Sequence, residues 1–118
     1  MIYTSYFSKW KGYNNPDYIL MATTYYKPTW FNGEWFFEVA PKEELVKSYK
    51  EGKTLPDQYT DIYLNHLEDN KEAILSKIKS FDPTKNYILL CFESPEKFCH
   101  RHVLASWLRS KGYKCEEY

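Results

Sequence analysis

The stretch NYILLCFESPEKFCHRHVLASWL, Asn86 to Leu108, decides how this chain folds. Its first part, NYILLCFE, is an apolar run of strand length, the pattern of a strand covered on both faces. Asp82-Pro83 stands before it and closes off whatever precedes. SPEKF then turns the chain into a segment from Cys99 to Lys111 in which Val103, Leu104, Trp107 and Leu108 recur at helical spacing, ending at Gly112. A buried strand, a short loop and an amphipathic helix are the building step of a layered α/β domain.

The rest of the chain extends that step in both directions. YKCEEY after Gly112 predicts a last short strand, and Ile2 to Phe7 predicts a first one, followed by the polar, turn-forming stretch Ser8 to Asp17. YILMATT, Tyr18 to Thr24, predicts an inner strand. In the segment from Tyr25 to Pro41, Pro28 and Asn32-Gly33 interrupt regular structure, which predicts an ordered loop with a small hairpin about Asn32-Gly33. Pro41 opens a predicted helix with Glu43 and Glu44 in its first turn and Gly52 past its end. Pro56 opens a second, lined by Tyr59, Ile62, Tyr63 and Leu67, and after Asp69-Asn70 a third carries Ile74, Leu75, Ile78 and Phe81. The expected fold is one α/β domain over residues 1–118, a small, mostly parallel sheet flanked by helices in Rossmann-like layering.

Composition narrows the functions. Sixteen basic residues balance sixteen acidic ones, so net charge draws the chain neither to nucleic acid nor to anionic lipid. No apolar run reaches the length of a membrane span and no secretory leader is visible, so a cytoplasmic protein without membrane contact is expected. Cys91, Cys99 and Cys115 cannot all pair within one chain, and they read as thiols. Aromatic residues make up 19% of the sequence and crowd residues 1 to 37. They serve either as a packed core and rim or as a face for stacking bases.

FCHRH, Phe98 to His102, sets cations at a helix start, against the positive end of the dipole, which calls for a negative group nearby. Ligands of open α/β sheets bind at the carboxyl ends of strands, where this block falls. At about 100° per residue, His100 lies on the buried side of the helix, Arg101 at its edge and His102 almost opposite. Arg101 is therefore the candidate for binding an anion, His100 with Glu93 for carrying a proton, and Cys99 for a nucleophile whose thiolate the helix start favours. The plainer readings are a packed histidine, an ion pair of Arg101 with Glu93 or another carboxylate, and cysteines filling the core, Cys91 above all. Zinc ligation by Cys91, Cys99, His100 and His102 lacks a suitable spacing, so no metal is expected. No glycine-rich phosphate loop is present.

YILLCFESPEKFCHRHVLASWL resembles the signature of the bacterial and phage domain-of-unknown-function family 488, in which a strand ending in cysteine and glutamate precedes a Cys-His-Arg helix start. MIYTSYF, VAPKEELVKSYKEG and YTDIYLNHL resemble the short members, so the likeness runs along nearly the whole chain. By position it marks Cys91, Glu93, Cys99, His100 and Arg101. Longer members carry Asp-Val-Arg at the end of the second strand, where this chain has MATTYYKP, so Lys27 is the residue left to replace that arginine in binding an anion. The resemblance implies a fold and a site, with no particular reaction or cofactor. Two functions fit: an enzyme, or degenerate enzyme, acting on a small phosphorylated or nucleotide-like ligand at the Cys-His-Arg helix start, or a non-catalytic module that binds nucleic acid or protein through the aromatic N-terminal third.

Overall fold

A computed structural model describes residues 1–92 and 98–118. Strand β4, Asn86–Cys91, runs through the middle of the sheet, and the two-residue period of a strand divides its side chains between two cores. Tyr87 and Leu89 join one cluster, Ile88 and Leu90 the other. β1, Ile2–Tyr6, lies on one side of β4 with Ile2 opposite Tyr87, and β2, Tyr18–Ala22, lies on the other with Leu20 opposite Ile88. β5, Cys115–Glu117, adds to the outside of β1, and β3, Glu34–Trp35, to the outside of β2. The order is β3-β2-β4-β1-β5 and every pairing is parallel.

β3 corrects one expectation. The turn at Asn32-Gly33 makes no hairpin; it returns the chain so that Glu34 and Trp35 pair in parallel with Met21 and Ala22. Gly33 permits this by its lack of a side chain, since a Cβ there would stand 2.6 Å from the Leu20 carbonyl oxygen and 2.5 Å from the Phe31 ring. A second difference follows β1 directly. Phe7–Trp10 forms a one-turn helix, α1, which takes Phe7 from the end of the expected strand and its other residues from the expected polar turn, because Phe7 and Trp10 fall on one side and are both buried.

The remaining helices are α2, Glu43–Lys50, α3, Pro56–Asp69, α4, Lys71–Lys79, and α5, His100–Ser110. Pro41 lies just before α2 instead of opening it. Pro56 does open α3, where Gln58 accepts a hydrogen bond from the Leu55 N–H at 2.8 Å. Leu45, Tyr63, Leu67, Ile74, Leu104 and Leu108 from these four helices meet Tyr87 and Leu89 in one core. On the opposite face, among the described residues, α1 and neighbouring rings form the cover: Phe7, Trp10 and Phe31 pack over Ala22, Ile88 and Leu90. The layering is thus uneven, thick on one face and thin on the other. Among the described residues no helix is long and apolar enough to cross a membrane.

Candidate functional site

All strands point the same way, so the ends of β1, β2 and β4 share one edge of the sheet with the start of α5. Past its last paired residue, β2 continues into Thr23, whose N–H and hydroxyl both donate to the Leu90 carbonyl, at 3.0 and 2.9 Å. His100 closes this corner from the helix. Its Nε2 lies 2.9 Å from the Thr23 carbonyl oxygen and 3.1 Å from Thr23 Oγ1. A carbonyl only accepts, so Nε2 carries the proton and Nδ1 is left as the basic nitrogen. Nδ1 stands 3.8 Å from Cys99 Sγ. Burial pushes His100 down to about 4, helped by the Arg101 charge and opposed by the bond to Thr23, so the ring is neutral at neutral pH.

Arg101 has no exposed surface. Its Nε donates to both carboxylate oxygens of Glu117 at 3.1 Å, its Nη2 lies 3.0 Å from Oε2, and its Nη1 lies 2.9 Å from Cys91 Sγ. The Tyr6 ring packs against the guanidinium at 5.6 Å. The negative group demanded by the dipole is therefore supplied, at least in part, by the chain itself, from its last strand. Glu117 is also the acceptor for the Thr4 hydroxyl at 2.7 Å, which fixes its position across β1.

The cysteines depart from the reading of them as thiols. Cys91, at the end of β4, and Cys99, just before α5, are joined as a disulfide where the strand end and the helix start meet at the edge of the sheet. Cys115 remains a free, buried thiol. His102 is exposed. Lys27 lies 5.1 Å over the Trp35 ring. Glu93, with most of the loop after β4, lies outside the described residues. Among the described residues no three His, Cys, Asp or Glu side chains gather closely enough to hold a metal ion.

Beside His100 and Cys99 opens a cavity of about 400 Å3. Tyr25, Tyr26, Tyr49, Tyr59, Phe92 and Phe98 form much of its wall, and Lys50, exposed, is the one Lys or Arg among its described lining residues. Neither Arg101 nor Lys27 is in that lining. Sequence reasoning missed Thr23, Lys50 and Glu117. The doubled threonine after an apolar strand signals hydrogen-bonding groups at a strand end, but nothing local joins Lys50 or Glu117 to residues 50 positions or more, or a whole helix, away.

Parallel strands, a crossover strand between the first two, and a histidine with a cysteine pair where their carboxyl ends meet the last helix define an open-sheet α/β protein with a cavity at its strand ends. The chain belongs to domain-of-unknown-function family 488: the family model described as the active DUF488-N3 subclade matches residues 15–112. No curated protein and no solved structure matches the chain.

Proposed function

We propose that this chain binds a small, ring-bearing molecule with an anionic group, of nucleotide-like character, and that His100 and Cys99 act on it. The observation that carries this reading is the cavity: about 400 Å3 falls within the range of small-ligand sites, and its described wall sets several aromatic rings beside the Lys50 cation. Rings stack on ring faces, and Lys50 supplies the counter-charge that Arg101, engaged by Glu117, gives to its own chain. Nδ1 of neutral His100 is the proton acceptor, and Cys99, once reduced, is the nucleophile beside it. Membership in a subclade described as active supports chemistry over a purely structural role.

The rings around Phe7 and Trp10 serve packing, which favours this reading over a nucleic-acid module. Phe7 and Trp10 are buried, and Trp10, Tyr13, Tyr18 and Tyr118 pack edge to face upon one another. Thermal shift with a panel of nucleoside monophosphates, nucleosides and inorganic phosphate tests the proposal. At least one monophosphate should raise the melting temperature more than its nucleoside or phosphate alone, and Lys50→Ala should weaken it about tenfold, the worth of one partly solvated charge-assisted contact. Protection by short oligonucleotides but by no monophosphate defeats the reading.

A further inference from the structure

The Cys91–Cys99 bridge ties the end of β4 to the start of α5, and its two sulfurs stand in different surroundings. Cys91 has no exposed surface, whereas Cys99 lines the cavity, so a small thiol entering there reaches Cys99 and not Cys91. Behind the bridge, Nη1 of Arg101 points at Cys91 Sγ from 2.9 Å, held in that direction by the grip of Glu117 on Nε. A sulfur that departs as thiolate departs faster when a fixed cation receives its charge. In front of the bridge, Nδ1 of His100 stands 3.8 Å from Cys99 Sγ, with its ring orientation fixed by Thr23.

We propose that Cys91 and Cys99 are a working dithiol–disulfide couple, opened by small thiols that enter the cavity, attack Cys99 and expel Cys91 against Arg101. The thiolate of the incoming molecule bonds to Cys99 Sγ while the Cys91–Cys99 bond breaks, and the bonding pair leaves on Cys91. A second thiolate attacks the incoming molecule's sulfur, frees Cys99 and departs as the external disulfide. Two electrons have then passed to the protein and two thiols to one disulfide. The reverse sequence, with an external disulfide as oxidant, recloses the pair. This couple requires only the bridge and the opening, and it stands whether or not the cavity takes a nucleotide-like ligand. Its consequence for that ligand is that oxidation withholds Cys99 and reduction releases it.

Intact-mass measurement decides the matter. The full chain is equilibrated in buffers of reduced and oxidised glutathione over a wide range of ratios, then trapped with an alkylating reagent under denaturing conditions. Cys91 and Cys99 should lose both alkyl groups together as the buffer becomes oxidising, while Cys115, buried and with its thiol pushed up to about 11, keeps its own and serves as the internal count. In Cys91→Ser, oxidised glutathione should add to Cys99 at least tenfold faster than it adds to Cys91 in Cys99→Ser. Cys91 and Cys99 remaining independent thiols across the range overturns the proposal, and so does faster addition at Cys91. The measurement on the unsubstituted chain stands alone if either variant fails to fold.

Discussion

His100 divides its work between its two nitrogens, and the division makes it sensitive to acid. Nε2 is spent on Thr23, and the neutral ring is buried where a charge is costly. Its pKa falls from the ordinary 6.5 of the unfolded chain to about 4 in the folded one. Between those values the unfolded chain binds the extra proton, so stability is fully present above pH 6.5 and is lost as pH drops toward 4. A gap of that size corresponds to about 3 kcal/mol. In His100→Gln, whose amide N–H2 can still donate to the Thr23 carbonyl, the fall in unfolding free energy from pH 7 to pH 4, read from urea curves, should be smaller by about that amount, a shallower slope with pH. His66 and His102, also lowered chiefly by burial, remain in both proteins, so the difference between them isolates His100. Equal slopes would mean that the ring is already solvated. At this scale the sequence was legible in kind: helical geometry put His100 inward and His102 outward, and the dipole argument called for a negative partner. It could not say that the partner of Arg101 is Glu117, because that pairing depends on which strand lands beside β1.

At the scale of elements, hydrophobic patterning was legible wherever one face or both faces of a segment are buried. The runs at Tyr18–Ala22 and Asn86–Cys91 are strands, and the spacing of Tyr59, Tyr63 and Leu67 gives α3 its inward face, although Ile62, expected on the same face, is exposed. Patterning failed where an element is too short to show a period. α1 has a single turn, and β3 has two residues whose side chains are both exposed. β3 instead depends on a backbone approach that only glycine allows. Gly33→Ala drives a methyl group into the Leu20 carbonyl and the Phe31 ring, so it should cost about 1–3 kcal/mol, as overpacking does. Amide hydrogen exchange should locate the damage: the Phe36 N–H, bonded to the Ala22 carbonyl at 2.8 Å, should lose protection while Leu89 on β4 keeps it. Uniform loss across the sheet would show instead that β2 and β3 unfold only with the whole.

For the whole molecule, the last strand holds both the sheet and the site. β5 pairs with β1, the Tyr118 N–H donates to the Thr4 carbonyl at 2.8 Å, and the Cys115 carbonyl accepts from Arg109 at 2.8 Å. Glu117 joins Thr4 on β1 to Arg101 on α5, and Arg101 in turn reaches Cys91 on β4. Removing residues 115–118 strips that carboxylate from a guanidinium with no exposed surface, and loss of one member of a buried ion pair costs roughly 3–5 kcal/mol. The Glu117 carboxylate is itself about one-third exposed, which moves the expected figure toward the lower end. A truncated chain ending at Lys114 should therefore unfold at a much lower urea concentration and, once the bridge is reduced, expose Cys91 and Cys99 to alkylation without denaturant. Glu117→Gln keeps an acceptor for Arg101 and for Thr4, so it should lose less, and its deficit should shrink in high salt less than that of an exposed pair would. If the truncated chain instead matches the intact one in both urea midpoint and thiol protection, Arg101 is held by other groups, and the helix start owes its stability to something other than the carboxylate of β5.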